Sequence, residues 1–397
     1  MARRFSTAGV WAGALLVGVL AQVPWTAPVG AQGLVPAPPT PPQAPQAARG
    51  PAPQPPAVVS PEVLSDRRVV FRMYAPQASD VVLRGARGPA MVKAENGVWS
   101  TTVGPLAPGV YQYSYGVHGV SVVDPVNQDV NETTGGLRSV FVVPGSEWTD
   151  MKPIAHGAVA EVQYPSSVLN RQRRMHIYTP PGYGTSGERY PVFYLLHGSG
   201  DSDQSWNALG RAGVIVDNLI AANRAKPMIV VMPNGHTQLP ATPESRLQFV
   251  KEFMADILPF VEKNYRVRAE RSGRAIAGLS MGGGHTLQIS IPNLDKFGYI
   301  GVMSAGLSGG GSGQPSAAEN FETANKAVLA NDGLKKGLKL LWFSTGKEDA
   351  AMANTMTAVN LLKKHGFTTV FQESAGGHTW ENWRDYLVTF GGQIFKD

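Results

Sequence analysis

The sequence predicts a mostly parallel α/β sheet flanked by helices, preceded by a small all-β sandwich, and three observations carry that expectation. Over residues 62–146, short β-branched and aromatic runs alternate with turn residues, the pattern of an antiparallel sandwich. Over residues 150–397, apolar strand-like runs alternate with longer amphipathic segments, the pattern of a parallel sheet covered by helices. A Gly-x-Ser-x-Gly sequence falls at one of the strand-to-helix junctions. At 397 residues the chain is long enough for two domains, or for one large domain with appendages.

Ahead of the sandwich, residues 1–31 read as a secretory leader. Arg3 and Arg4 precede an apolar run over 10–21, and Val29-Gly30-Ala31 supplies small residues for cleavage after Ala31. The expected location is therefore secreted or periplasmic. The run is shorter than the ~20 residues a spanning helix needs, and no later stretch reaches that length, so no transmembrane segment is expected. Residues 32–61 read as a linker: ten of the twenty-one residues over 36–56 are proline, which favours extended polyproline II and buries no core.

In the sandwich, strands are expected at 69–74, 81–84, 98–103, 110–117 and 139–143. Trp99, Thr101 and Val103 share one strand face, while Tyr111, Tyr113 and Tyr115 oppose Gln112 and Ser114. Aromatic rows at strand spacing belong in the interior. In the α/β part, strands are expected at 192–196, 228–232, 274–278, 299–304, 339–344 and 368–373. Helices fit between or after them at 214–222, 247–264, 283–291, 320–330, 352–365 and 381–390.

Composition excludes several classes. There are no cysteines, so a disulfide scaffold, a thiolate zinc site and a cysteine nucleophile are ruled out. The formal charge of +6 falls to +4 without the two leader arginines. The densest basic cluster, Arg171, Arg173 and Arg174, has no interleaved aromatics, so it reads as a solvated strand edge and a nucleic-acid partner is not expected. No His-x-x-x-His or carboxylate spacing suits a metal, and the glycine-rich stretch after Gly306 lacks the Lys-Ser/Thr of a phosphate loop, so neither metal nor cofactor is expected.

The chemistry concentrates around Gly278-Leu-Ser280-Met-Gly282. Glycines on either side of a serine let the chain turn sharply between strand and helix, exposing the hydroxyl at the apex, so Ser280 is the candidate nucleophile. The pattern repeats at Gly306-Leu-Ser308-Gly-Gly310, but no helix starts there and the stretch reads as a loop. A serine hydroxyl needs a base, and in this architecture the acid and then the histidine follow it in the chain. His285 falls inside the next helix, packed or capped, and His365 ends a helix. That leaves His378, in Gly376-Gly-His-Thr-Trp380, as the general base. The orienting carboxylate should follow the 339–344 strand, where Asp349 is chosen with Glu348 as the alternative. Oxyanion donors are expected from the N–H groups of Met281 and Ser199, with Gly198 or Gly200 as alternatives, because Leu196-His-Gly-Ser-Gly200 follows an early apolar strand. His197 is expected to make a structural hydrogen bond in that loop.

With these residues in place, the α/β part resembles the feruloyl-esterase-like enzymes of carbohydrate esterase family one, in the esterase-D-like branch of the α/β-hydrolases. The likeness rests on Ile177-Tyr-Thr-Pro-Pro-Gly-Tyr183, Tyr190-Pro-Val-Phe-Tyr-Leu-Leu-His-Gly198, Met232-Pro-Asn-Gly235, Gly278-Leu-Ser-Met-Gly-Gly283, Gly346-Lys-Glu-Asp349 and Gly377-His-Thr-Trp-Glu-Asn-Trp-Arg384. It implies the α/β-hydrolase fold and favours Asp349 as the last residue of a Gly-x-x-Asp turn. The N-terminal part resembles an early-set immunoglobulin-like sandwich related to the carbohydrate-binding module of glycogen-branching enzymes, on Phe71-Arg-Met-Tyr-Ala-Pro76, Asn96-Gly-Val-Trp99, Pro108-Gly-Val-Tyr-Gln-Tyr113 and Asp124-Pro125. His118-Gly119 stands where such modules often carry Asp-Gly. The resemblance implies a secreted serine carboxylesterase acting on feruloyl or acetyl esters of plant cell-wall polysaccharide, with Trp206, Trp380 and Trp383 lining an aromatic acyl or sugar site and the N-terminal module contacting carbohydrate. Siderophore esterases of the enterobactin type and mycolyltransferases are similar as well. The rival from another class is a carbohydrate-binding surface protein without turnover.

Overall fold

The structure, a computed structural model, describes residues 55–307 and 316–396. The expected leader, most of the expected linker, and Ser308 with the glycines that follow it lie outside the described residues. Nine strands form the N-terminal region: β1 (Glu62–Val63), β2 (Val69–Tyr74), β3 (Val81–Arg84), β4 (Val92–Lys93), β5 (Val98–Val103), β6 (Gly109–Val117), β7 (Val120–Val122), β8 (Val130–Thr133) and β9 (Gly136–Val143). They pair antiparallel in two sheets, β1-β2-β5-β4 and β3-β6-β9-β8, with β7 added to β6. The strands form because alternate residues are apolar. Val69, Phe71 and Met73 on β2 and Trp99, Thr101 and Val103 on β5 turn inward. Tyr113 and Tyr115 are also interior, and both hydroxyls donate to the buried Asp124 carboxylate, at 2.7 and 3.3 Å. Burial of those phenols is affordable because each polar tip has a partner.

Eight further strands make one mixed sheet: β10 (Ala158–Ser166), β11 (Arg171–Thr179), β12 (Val192–Leu196), β13 (Ile229–Pro233), β14 (Arg274–Leu279), β15 (Tyr299–Met303), β16 (Leu340–Gly346) and β17 (Val370–Ser374), in the order β10-β11-β13-β12-β14-β15-β16-β17. From β13 to β17 all neighbours are parallel, while β10 and β11 form an antiparallel pair at one edge. The helices are α1 (Ser205–Ala208), α2 (Ala212–Ala221), α3 (Pro243–Glu252), α4 (Leu258–Asn264), α5 (Met281–Ser290), α6 (Ala317–Ala324), α7 (Lys326–Leu329), α8 (Asp332–Lys336), α9 (Met352–Lys364) and α10 (Trp380–Gly391). The central strands are buried on both faces. Tyr194 and Leu196 of β12 pack with Phe249 of α3 and Leu287 of α5, whereas Phe193 and Leu195 pack with Ile215 of α2 and Phe390 of α10. This is the α/β-hydrolase arrangement, preceded by antiparallel sheets.

Two expectations need correction. The arginine cluster is not a solvated edge: β11 lies one strand in from the edge, Arg173 and Arg174 are ion-paired, and only Arg171 is exposed, its guanidinium donating to the Thr237 carbonyl. Arg173 donates to the fully buried Glu252 at 3.0 Å, and Arg174 binds Asp203, Glu132 and Glu161. Ion pairing satisfies charges that the sequence alone presents as free. The helix expected at 247–264 begins four residues earlier, at Pro243. There Thr242 accepts from the Ser245 N–H at 3.2 Å and the Ser245 hydroxyl is returned to the Thr242 N–H, while proline occupies the first turn.

Residues from Pro55 onward form one compact unit, and the sandwich touches the α/β part near the site. The Thr134 N–H donates to the Gly200 carbonyl at 3.1 Å, the Glu132 N–H donates to Gln204 Oε1 at 2.9 Å, and Arg384 of α10 donates to the carbonyls of Val110 and Leu209.

Candidate active site

Strand β14 is wholly buried and ends at Leu279; Ser280 follows with φ 51° and ψ −116°, and α5 begins at Met281. A non-glycine residue in that region of backbone space is strained. Close packing forces the turn. A Cβ on Gly278 would stand 2.4 Å from the Gly282 carbonyl, and one on Gly282 would stand 2.6 Å from the carbonyl oxygens of Leu196 and His197. Both positions therefore exclude every side chain, which is the physical content of the Gly-x-Ser-x-Gly spacing. The Ser280 N–H donates to the Met303 carbonyl at 2.9 Å, and its hydroxyl caps nothing in the helix.

His378 lies on the loop between β17 and α10. Its Nε2 is 2.9 Å from Ser280 Oγ, and its Nδ1 is 3.0 and 3.1 Å from the two Asp349 carboxylate oxygens. A carboxylate only accepts, so Nδ1 carries the proton and Nε2 presents a lone pair to the serine hydroxyl. Asp349 is 4% exposed and also accepts the Ala351 N–H at 2.8 Å, whereas Glu348 is exposed. The histidine loop is fastened by Asn382, whose amide donates to the Ala375 and Gly377 carbonyls.

The loop after β12 is held just as closely. The Gly235 N–H donates to His197 Nε2 at 2.8 Å, so His197 Nδ1 bears the proton and donates to the Gly198 carbonyl at 2.8 Å. The Gly198 N–H donates to Asp201 Oδ2 at 3.2 Å. That bond commits the Gly198 amide and removes it as an oxyanion donor. Ser199 and Met281 both line the cavity beside Ser280, and Met281 opens α5, where the first N–H groups have no partner within the helix. Asp201 was missed from the sequence, although its position four residues after His197 in the same loop was a usable signal. Burial raises its pKa from 3.8 to about 6, against the opposing Gly198 hydrogen bond and the nearby His378.

The cavity in front of Ser280 has a volume of about 810 Å³, within the range of small-molecule sites. The three tryptophans expected to line it do not. Trp206 is fully buried, its indole N–H donating to the Leu196 carbonyl at 3.0 Å, and it packs edge-on against Trp380. Trp380 packs in turn against Trp383. Trp383 is 6% exposed and stands perpendicular to the His378 ring at 4.9 Å while donating to Ser304 Oγ at 3.0 Å. These rings build the wall behind the histidine rather than a surface for substrate. His285 is buried against Phe249, packed as expected but capping nothing, and His365 closes α9 and meets Glu322 at 2.7 Å. Among the described residues no cluster of histidine and carboxylate side chains is arranged to hold a metal ion, and no helix is long and apolar enough to cross a membrane.

Residues 166–393 match the Esterase family, so the chain belongs to that family of carboxylic ester hydrolases. An endo-1,4-beta-xylanase/feruloyl esterase of Xylanibacter ruminicola is 33% identical over 359 residues, covering 85% of this chain and 46% of that protein; the chain spans about half the length of this relative. Among solved structures, a feruloyl esterase module from Clostridium thermocellum complexed with sinapinate is 25% identical, with a TM-score of 0.54 over 64% of this chain and 92% of that one. The enterobactin esterase of Shigella flexneri shares the fold at 18% identity, with a TM-score of 0.59 over 82% of this chain and 92% of that one.

Proposed function

We propose that the chain is a serine carboxylesterase that cleaves feruloyl or acetyl esters of plant cell-wall polysaccharide, exported by its N-terminal leader and cleaved after Ala31. The observation that carries the activity is the unbroken run of hydrogen bonds from Asp349 through His378 to Ser280 at the mouth of the cavity. In this reading His378 Nε2 takes the Ser280 hydroxyl proton as Oγ attacks the ester carbonyl carbon. The charge that develops on the carbonyl oxygen is received by the Met281 and Ser199 N–H groups. Collapse of the tetrahedral adduct breaks the bond to the alcohol, which leaves with the proton from His378. Water then repeats the sequence on the acyl-enzyme, giving its proton to His378 and releasing the acid and free Ser280. Asp349 keeps the imidazole in the required tautomer and stabilises the imidazolium.

The relative from Xylanibacter ruminicola and the feruloyl esterase module support the polysaccharide substrate. The competing substrate is a siderophore ester, suggested by the longer overlap with the enterobactin esterase fold. The test measures product release from methyl ferulate, acetylated xylan and a catecholate siderophore ester, with wild type beside Ser280→Ala and His378→Ala. Ferulate or acetate released by wild type alone is the expected result. Cleavage of the siderophore ester alone refutes the substrate, and turnover of no ester refutes the activity and favours a binding protein.

A further inference from the structure

Gly198 is held through both of its peptide groups. Its N–H donates to Asp201 Oδ2 at 3.2 Å. Its carbonyl accepts from His197 Nδ1 at 2.8 Å and from the Asp201 N–H at 3.2 Å. The peptide joining Gly198 to Ser199 is trans and planar, so its C=O and N–H point in opposite directions. With the carbonyl drawn toward His197 and Asp201, the Ser199 N–H is turned the other way, and Ser199 lines the cavity in front of Ser280.

No residue other than glycine fits at 198, because a Cβ there would stand 2.6 Å from Leu279 Cδ1. Glycine has the widest backbone freedom, so the direction of this peptide has to be set by its neighbours. Asp201 is placed to set it. The same Cβ would lie 3.0 Å from Asp201 Oδ2 and 3.6 Å from Ser280 Cβ, so one glycine separates the carboxyl from the nucleophile. Among the described residues the Gly198 N–H is the only hydrogen-bond partner of this half-buried carboxyl, whose pKa desolvation raises to about 6. Carboxyls kept in such surroundings cluster at functional sites.

We propose that Asp201 is a positioning residue for ester cleavage: by accepting the Gly198 N–H it closes the 198–201 turn and aims the Ser199 N–H at the ester carbonyl oxygen. His197 restrains the same peptide through its carbonyl. The Gly235 N–H, donated to His197 Nε2 at 2.8 Å, fixes the tautomer in which Nδ1 is the donor. What the turn requires of residue 201 is an acceptor oxygen, not a charge. The inference rests on the serine esterase reading and on Ser199 as an oxyanion donor.

The test compares wild type with Asp201→Ala, which removes the acceptor, and Asp201→Asn, which keeps an oxygen in its place. On an ester that wild type cleaves, Asp201→Ala should lower kcat by about 10–100-fold with KM nearly unchanged, since a misaimed donor forfeits part of the roughly 10²–10³ that one oxyanion donor supplies. Asp201→Asn should keep kcat within about threefold. Amide hydrogen exchange on the same three proteins gives a readout without substrate: protection of the Gly198 N–H should fall at least about tenfold in Asp201→Ala and persist in Asp201→Asn. Asp201→Leu, similar in bulk and without an acceptor, replaces the alanine variant if that one does not fold. An unchanged kcat in Asp201→Ala, an equal loss in Asp201→Asn, or Gly198 protection indifferent to residue 201 overturns the proposal. Protection that follows residue 201 as expected, with no ester turned over by wild type, leaves the turn standing and refutes the esterase activity instead.

Discussion

Replacing Asp201 by asparagine should stabilise the protein at alkaline pH and not at acid pH. The half-buried Asp201 carboxyl accepts the Gly198 N–H, and its pKa is raised from 3.8 to about 6, desolvation being the leading cause. An acid with a higher pKa folded than unfolded binds more protons in the folded state between those two values. Stability therefore falls as pH rises through that window: the group costs nothing below about 4 and its full penalty applies above about 6. Two pH units at 1.36 kcal/mol each come to about 3 kcal/mol. Asparagine keeps an oxygen for the Gly198 N–H and never ionises, so any fixed cost of the amide is the same at every pH. The difference in unfolding free energy between variant and wild type should thus grow by about 3 kcal/mol from acid to alkaline conditions, or roughly 4 °C in melting temperature for a unit of this size. Urea unfolding of both proteins at intervals across that range measures it. A difference that stays constant with pH would refute the assignment of a reluctantly ionised carboxyl to this loop.

Asp349→Asn should lower kcat by about 10⁴-fold with KM nearly unchanged, because the amide holds the wrong imidazole tautomer; steady-state kinetics on any cleaved ester reads it, and a drop in KM alone would count against the role. Arg173→Met should destabilise by about 3–5 kcal/mol in urea, since it strands the fully buried Glu252, and adding Glu252→Gln should recover part of that loss. Trp206→Ala should cost about 3–5 kcal/mol as a core truncation, and the folded fraction should keep its KM; a selective rise in KM would restore the tryptophan to the substrate surface.

The parts of the site that were legible in the sequence are those that backbone sterics dictate. Gly278 and Gly282 admit no Cβ, so the elbow announces itself in five residues, and the loops that bring His378 and Asp349 to it follow strands whose apolar runs are plain. Partners far apart in the chain were not legible. Arg173 and Glu252 are seventy-nine residues apart, so the arginines looked solvated when they are paired. Strand β10 alternates little, with most of its residues exposed, and β1 and β4 have two residues each, too short for a period to show. Trp206 shows the same limit: whether a tryptophan in the segment after β12 faces the cavity or the core depends on α10, which is contributed from the other end of the chain. The start of α3 is written in Thr242, Pro243 and Ser245 rather than in apolar spacing, since its first turn carries no apolar residue that would extend the periodic pattern.

The bonds from Thr134 to Gly200 and from Arg384 to Val110 have a consequence for how such a gene can be cut and recombined. Excising the chain near residue 150 would free the Gly200 carbonyl in the loop that carries Ser199, and would expose Leu209 together with the face of α10 that supports His378. A cassette boundary that runs through such contacts is a poor place for exchange. A foreign front end joined there would have to supply a new partner for the Gly200 carbonyl and a new cover for Leu209 and Trp380, so the seam between sandwich and α/β part sets what can be exchanged.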